Sequence, residues 1–277
     1  MNKKVLNNSF LIIAIASIFF ACNKEKLNDI TIDLKSEFEE SAKLHNEAMD
    51  YILNSLKNKK GVDSELLFQK VERLSNEFIQ ANINSFNKLK NPSKTMVDEC
   101  NRLLLFRKST SSNEDYLPYT IDKYNNYLTE RQKGLLYKIN DIVYSKNSVD
   151  VVVEKLKYVK DVDCLELWTE ERNVIYAATT IGIESAIYWN KHLNEWIAVV
   201  TNESTAKSLK STKGWFDWGS ISKSDISGAI GGAIGGALVG AALGGVGAGP
   251  GAIAGFVGGG IGASSVDAVA QCLDNWF

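Results

Sequence analysis

The sequence is poor in the residues that carry most enzyme chemistry and most non-helical architecture. Only three prolines and two histidines occur in 277 residues, and no alternating polar–apolar run persists long enough to mark a sheet. HExxH, GxSxG and phosphate-loop motifs are all missing. The four cysteines, Cys22, Cys100, Cys164 and Cys272, follow neither a zinc spacing nor a disulfide framework. No excess of basic residues exists: the formal net charge is −2, and it becomes −4 once Lys3 and Lys4 are set aside. That argues against nucleic acid as a partner, since binding phosphates needs a concentrated basic face. No cofactor, metal or catalytic residue is expected.

What is present begins with an export signal. Lys3 and Lys4 precede an apolar run from Phe10 to Phe20, of signal-peptide length and too short to span a bilayer. Phe19-Phe20-Ala21-Cys22 follows, a small residue before a cysteine. This resembles the lipobox of bacterial lipoproteins, although Phe19 stands where that family usually has leucine. The resemblance implies cleavage before Cys22 and acylation of Cys22. A plain secretory signal with an incidental cysteine is the alternative. Acyl chains contribute ~0.8 kcal/mol per buried methylene, so two or more give stable anchoring. The expected organisation is a signal peptide over 1–21, a tether over 22–30, an α-helical domain over 31–200, a polar linker over 201–225 and a glycine-rich hairpin over 226–270.

The middle of the chain reads as all-α, a bundle of about six helices. Leu34, Phe38, Ala42, His45, Ala48/Met49, Ile52/Leu53 and Leu56 recur at three and four residues until Gly61. A second helix carries Leu67, Val71, Leu74, Phe78, Ile79, Ile83, Phe86 and Leu89 and is ended by Pro92. A shorter one is expected over Thr95–Phe106, and Lys108–Pro118 reads as a loop. Thr129-Glu130-Arg131-Gln132 is a capping-box signature. Ser148 opens a helix through Val159, with a strand as the alternative because 149–153 is β-branched. Asp163 opens the longest helix, 164–200. Cys100 and Cys164 read as buried small hydrophobes, or as a disulfide. Glu184, Tyr188 and His192 recur every four residues, a possible polar site or a plain packing stripe.

From Ile226 to Val266 there is no charge, and 16 of the 21 glycines fall there. Gly228, Gly232, Gly236, Gly240 and Gly244 keep strict four-residue spacing, as do Gly247, Gly251, Gly255 and Gly259. That spacing puts every glycine of a series on one helix face, which becomes a groove where another backbone can approach. Gly247-Ala248-Gly249-Pro250-Gly251 reads as the turn between two arms. At ~1.5 Å per residue, the first arm from Ile226 to Val246 is about 31 Å long and matches a hydrocarbon core. Trp215, Phe216 and Trp218 before it, with Trp276 and Phe277 after the second arm, suit an interfacial aromatic belt. Three readings compete: a membrane-inserted hairpin, a hairpin packed on the α-domain, and a disordered tail. Glycine disfavours helix by ~1 kcal/mol relative to alanine, so a lone arm needs a neighbour, and self-association is expected.

Cys22 together with the glycine spacing resembles glycine-zipper outer-membrane lipoproteins of the SlyB-like class, whose zipper lies closer to the lipid. The whole layout, with Tyr188-Trp189 and Trp215-x-x-Trp218, is similar to uncharacterised bacterial lipoproteins with a C-terminal glycine zipper. That resemblance implies no activity. The expectation is a cell-envelope lipoprotein, the outer membrane favoured over the inner. It would bind membrane lipid, self-associate through the zipper and serve as a structural or interaction module. The alternative is a membrane-perturbing, bacteriocin-like or contact-dependent effector that uses the hairpin.

Overall fold

The computed structural model describes residues 35–57, 64–86, 116–145, 147–201, 218–242 and 248–276. They form α-helices and short 3-10 turns, with no strand among them: α1 Lys35–Lys57, α2 Ser64–Phe86, α3 Tyr116–Lys123, α4 Glu130–Tyr144, α5 Val149–Asp161, α6 Thr169–Val200, α7 Trp218–Ala242 and α8 Ala248–Trp276. The all-α reading therefore holds. All of these helices belong to one unit, Leu34–Phe277.

The amphipathic helices follow the sequence pattern closely. On α1 the buried face is Phe38, Ala42, His45, Ala48, Met49, Ile52, Leu53 and Leu56, with Ser41 added. The capping box of α4 is formed: Gln132 N–H donates to Thr129 Oγ1 at 3.2 Å and Thr129 N–H donates to Gln132 Oε1 at 2.8 Å. Two first-turn donors are thereby satisfied. The β-branched stretch 149–153 is helical, because Val152, Leu156 and Val159 share one buried face.

Three helices contribute stretches that are buried all round and occupy the interior. Ile175–Ile183 of α6, Ile221–Ser227 of α7 and Gly255–Ser265 of α8 are each continuously buried. A helix without a solvent face belongs inside, enclosed by amphipathic neighbours. Here α6 packs on α1, α4, α5, α7 and α8, and α2 packs on α8.

Several boundaries differ from expectation. Asp163 opens a 3-10 turn, Asp163–Glu166, and α6 starts only at Thr169. The Arg172 guanidinium donates to the carbonyls of Leu165 and Leu167, both at 3.1 Å, and holds this corner. The expected loop ends early, since α3 begins at Tyr116 and accommodates Pro118 in its first turn. The polar linker also ends early, at Trp218 instead of 225. Ile221, Ser222, Lys223, Ser224 and Asp225 are buried helix, and Ser222, Lys223 and Asp225 meet partners from other helices. Gly249, Pro250 and Gly251 form the first turn of α8 rather than the link before it. The shorter helix expected at Thr95–Phe106 lies outside the described residues.

The transmembrane hairpin needs correction. Among the described residues no helix is long and apolar enough to cross a membrane. The segments expected in lipid pack against α6, α1 and α2 instead.

Candidate functional site in the buried core

Glycine spacing sets how closely α7 and α8 meet. A Cβ added at Gly232 would run into the carbonyl of Gly255, and one at Gly228 into the carbonyl of Gly259; the reverse substitutions clash likewise. These pairings, 228 with 259 and 232 with 255, make the helices antiparallel. Trp218 at the start of α7 and Trp276 at the end of α8 therefore lie at the same end of the pair. Gly236 and Gly240 fall within α7, and Gly251 within α8. Gly244, Gly247, Trp215, Phe216, Phe277 and Cys22 lie outside the described residues.

One turn before Gly228 the same packing buries a polar cluster. Asp225 Oδ2 accepts from Ser185 Oγ of α6 at 2.5 Å and from Ser264 Oγ of α8 at 3.0 Å. Ser264 Oγ accepts from the Trp189 indole at 3.2 Å, and Ser185 and Ser222 exchange a hydroxyl contact at 3.2 Å. His45 of α1 brings Nε2 to 3.7 Å from Asp225 Oδ2, and both side chains are fully buried. The imidazole packs beside Gly260 of α8, where an added Cβ would stand 3.5 Å from His45 Cδ2, an ordinary van der Waals contact.

His45 Nδ1 pairs with Asn46 Oδ1 at 3.1 Å, which assigns the Nδ1 proton and leaves Nε2 bare in the neutral ring. Asn46 in turn donates to Glu184 Oε2 at 3.0 Å. Burial opposes charging the ring and holds His45 well below the ordinary imidazole range, at about 4, against a smaller upward pull from Asn46.

Serine, histidine and aspartate thus meet, but not in the order that nucleophilic catalysis uses. The serine hydroxyls donate to the carboxylate, and among the described residues none hydrogen-bonds to the imidazole. A base must reach the proton it removes, and a substrate must reach the nucleophile. As arranged, the cluster fastens four helices together. Next to Ser264, at the interface of α8 with α2, Ser265 meets Ser75 at 3.1 Å. Lys223, also buried, places Nζ 3.0 Å from the Tyr144 ring centroid, a cation–π contact.

The structure divides the Glu184–Tyr188–His192 series. Glu184 turns to Asn46. The Tyr188 hydroxyl donates to Asp50 at 3.1 Å and accepts from the Trp196 indole at 3.1 Å, and burial pushes its own pKa up. His192 stacks on Tyr188 with centroids 4.6 Å apart and pairs with Glu195 at 3.3 Å, which also meets Lys57 at 2.6 Å. Tyr188 and His192 thus stack on each other while Glu184 pairs elsewhere, and the series is a packing stripe. Cys164 is a buried free thiol, so the expected alternative of a bridge to Cys100 is not formed; burial raises its pKa to about 11. Cys100 itself lies outside the described residues. Among the described residues no group of three or more histidine, cysteine or acidic side chains could hold a metal ion.

Sequence reasoning missed Asp225, Ser185, Ser222 and Ser264. Asp225 and Ser222 read as linker by composition. A signal was available: Ser224 continues the four-residue series of Gly228 and Gly232 backward, so the helical register already reached into the polar stretch. In comparisons with family models, curated proteins and solved structures, the chain matches none.

Proposed function

We propose that this chain is a lipid-anchored cell-envelope protein, held at Cys22, whose helical unit serves as a structural or interaction module. The observation that carries this reading is Ala21-Cys22 directly after the apolar run Phe10–Phe20. The packing of α7 and α8 supports the module half of it. Gly228, Gly232, Gly255 and Gly259 face one another within the chain, so these four glycines act in its internal packing. The test is metabolic labelling with a fatty-acid analogue, combined with membrane fractionation. The wild type should be labelled and sediment with membranes, and Cys22→Ala should lose the label. Equal labelling of both would reject the anchor.

A second reading is favoured by one observation. The helices richest in glycine and alanine sit enclosed by amphipathic ones, the arrangement expected of a protein that stores an apolar segment for release. In this reading the chain is a membrane-perturbing effector. Dye release from liposomes by the intact protein, compared at pH 7 and pH 5, separates the two. Silence at both pH values removes the effector.

A further inference from the structure

Large apolar side chains left at the surface are not spread evenly over the unit. Tyr158, Val162, Leu165 and Trp168 all lie exposed within eleven residues, where α5 ends, the 3-10 turn follows and α6 begins. Trp168 is the most open of them, with 68% of its surface accessible, and Leu165 keeps 57%. The corner that carries them is rigid. The Arg172 side chain ties the carbonyls of Leu165 and Leu167, Arg131 donates to the Glu166 carbonyl at 3.3 Å, and Glu171 accepts from the Trp168 backbone N–H at 3.0 Å. A fixed backbone thus presents an indole and an isobutyl group outward, without burying either.

The chain's own path says what covers them. Lys35, the first residue of α1, meets Asp161 at 2.9 Å, one residue before Val162. The polypeptide therefore enters the unit at this corner. Cys22 lies thirteen residues upstream, a reach of at most ~45 Å when fully extended. Asp161 and Asp163, the acids flanking Val162, are engaged by Lys35 and by Lys138 at 2.6 Å, so an anionic surface meets them already neutralised. Indole, phenol and short aliphatic groups beside lysine are the chemistry that settles at the headgroup boundary of a bilayer.

We propose that Tyr158, Val162, Leu165 and Trp168 form a membrane-docking corner that seats the helical unit on the bilayer surface. The corner lies on the membrane and does not span it. This rests on the lipoprotein reading for its orientation, and the test keeps the two apart.

The protein to use is the unlipidated mature chain from Asn23, which retains the whole Leu34–Phe277 unit. Its binding to vesicles of phosphatidylethanolamine and phosphatidylglycerol is measured by flotation. Trp168→Ser with Leu165→Ser is the test variant. Serine is a favoured N-cap residue at the start of α6, so the fold is spared. Leu66→Ser, at an exposed leucine of α2, is the control. The double variant should bind about tenfold more weakly, the loss expected from withdrawing two apolar side chains from an interface. Leu66→Ser should bind as the parent does. Absence of vesicle binding by the parent overturns the proposal, as does equal binding by the double variant. Dimerisation through the corner, seen in sedimentation as a species that the double variant abolishes, also overturns it in favour of a second copy. If the wild type carries no fatty acid but the unlipidated chain still floats through this corner, the anchor has failed and the docking corner stands.

Discussion

His45 Nε2 of α1 lies 3.7 Å from Asp225 Oδ2, two turns into the glycine-rich helix α7, and both side chains are fully buried. This burial has a consequence for pH. A free imidazole titrates near 6.5, whereas burial holds His45 near 4, so the unfolded chain takes up the proton first as pH falls. The stability contributed by the neutral ring is complete above ~6.5 and is lost as pH drops toward 4, by on the order of 3 kcal/mol. The groups facing the ring are Asp225 from α7 and, through Asn46, Glu184 from α6. Urea unfolding at pH 7 and pH 5 should show the wild type losing stability and His45→Gln losing less. Parallel losses would place the pH dependence elsewhere.

Asp225 is the acceptor on which two buried serines depend. Asp225→Ala strands those hydroxyls and should cost ~2–4 kcal/mol. Ser185→Ala should cost ~1 kcal/mol alone and less in the Asp225→Ala background, since its partner is then gone. Equilibrium denaturation of the two singles and the double measures the coupling. Strict additivity would mean that the contact contributes nothing.

Two glycine-to-alanine substitutions should move stability in opposite directions. At Gly134 of α4 an added Cβ meets nothing within 4 Å, so Gly134→Ala should stabilise by ~0.5–1 kcal/mol through better helix propensity. At Gly232 the added Cβ meets the Gly255 backbone, which cannot rotate away. Gly232→Ala should destabilise by several kcal/mol, beyond the ~1–3 typical of core overpacking. Melting temperatures of both variants decide it. A neutral Gly232→Ala would show that α7 and α8 do not approach this closely.

Cys164 should be chemically quiet in the folded protein. Its thiol is buried and its pKa is raised to about 11, so little thiolate exists at pH 8. Iodoacetamide should modify Cys164 slowly under native conditions and rapidly in denaturant, read peptide by peptide by mass spectrometry. Rapid native modification would mean that the α5–α6 corner opens.

The helices and the faces they bury were largely determined by the sequence itself. Phe38 to Leu56 on α1 and the Thr129–Gln132 box on α4 depend on spacing along a few turns, and such local periodicity survives folding unchanged. The four-residue glycine series was equally legible, and at Gly228, Gly232, Gly255 and Gly259 it marked a face where backbones meet. What that face meets was decided only by tertiary structure. Four-residue glycine spacing cannot distinguish a face that meets a helix in lipid from one that meets a helix in a protein interior, because both use the same groove for close backbone approach. Lys223 and Asp225 decided the matter only once a tyrosine ring and two serine hydroxyls, brought from distant segments, stood ready to receive them. The partners of a buried charge lie across the fold, and no spacing within its own helix announces them.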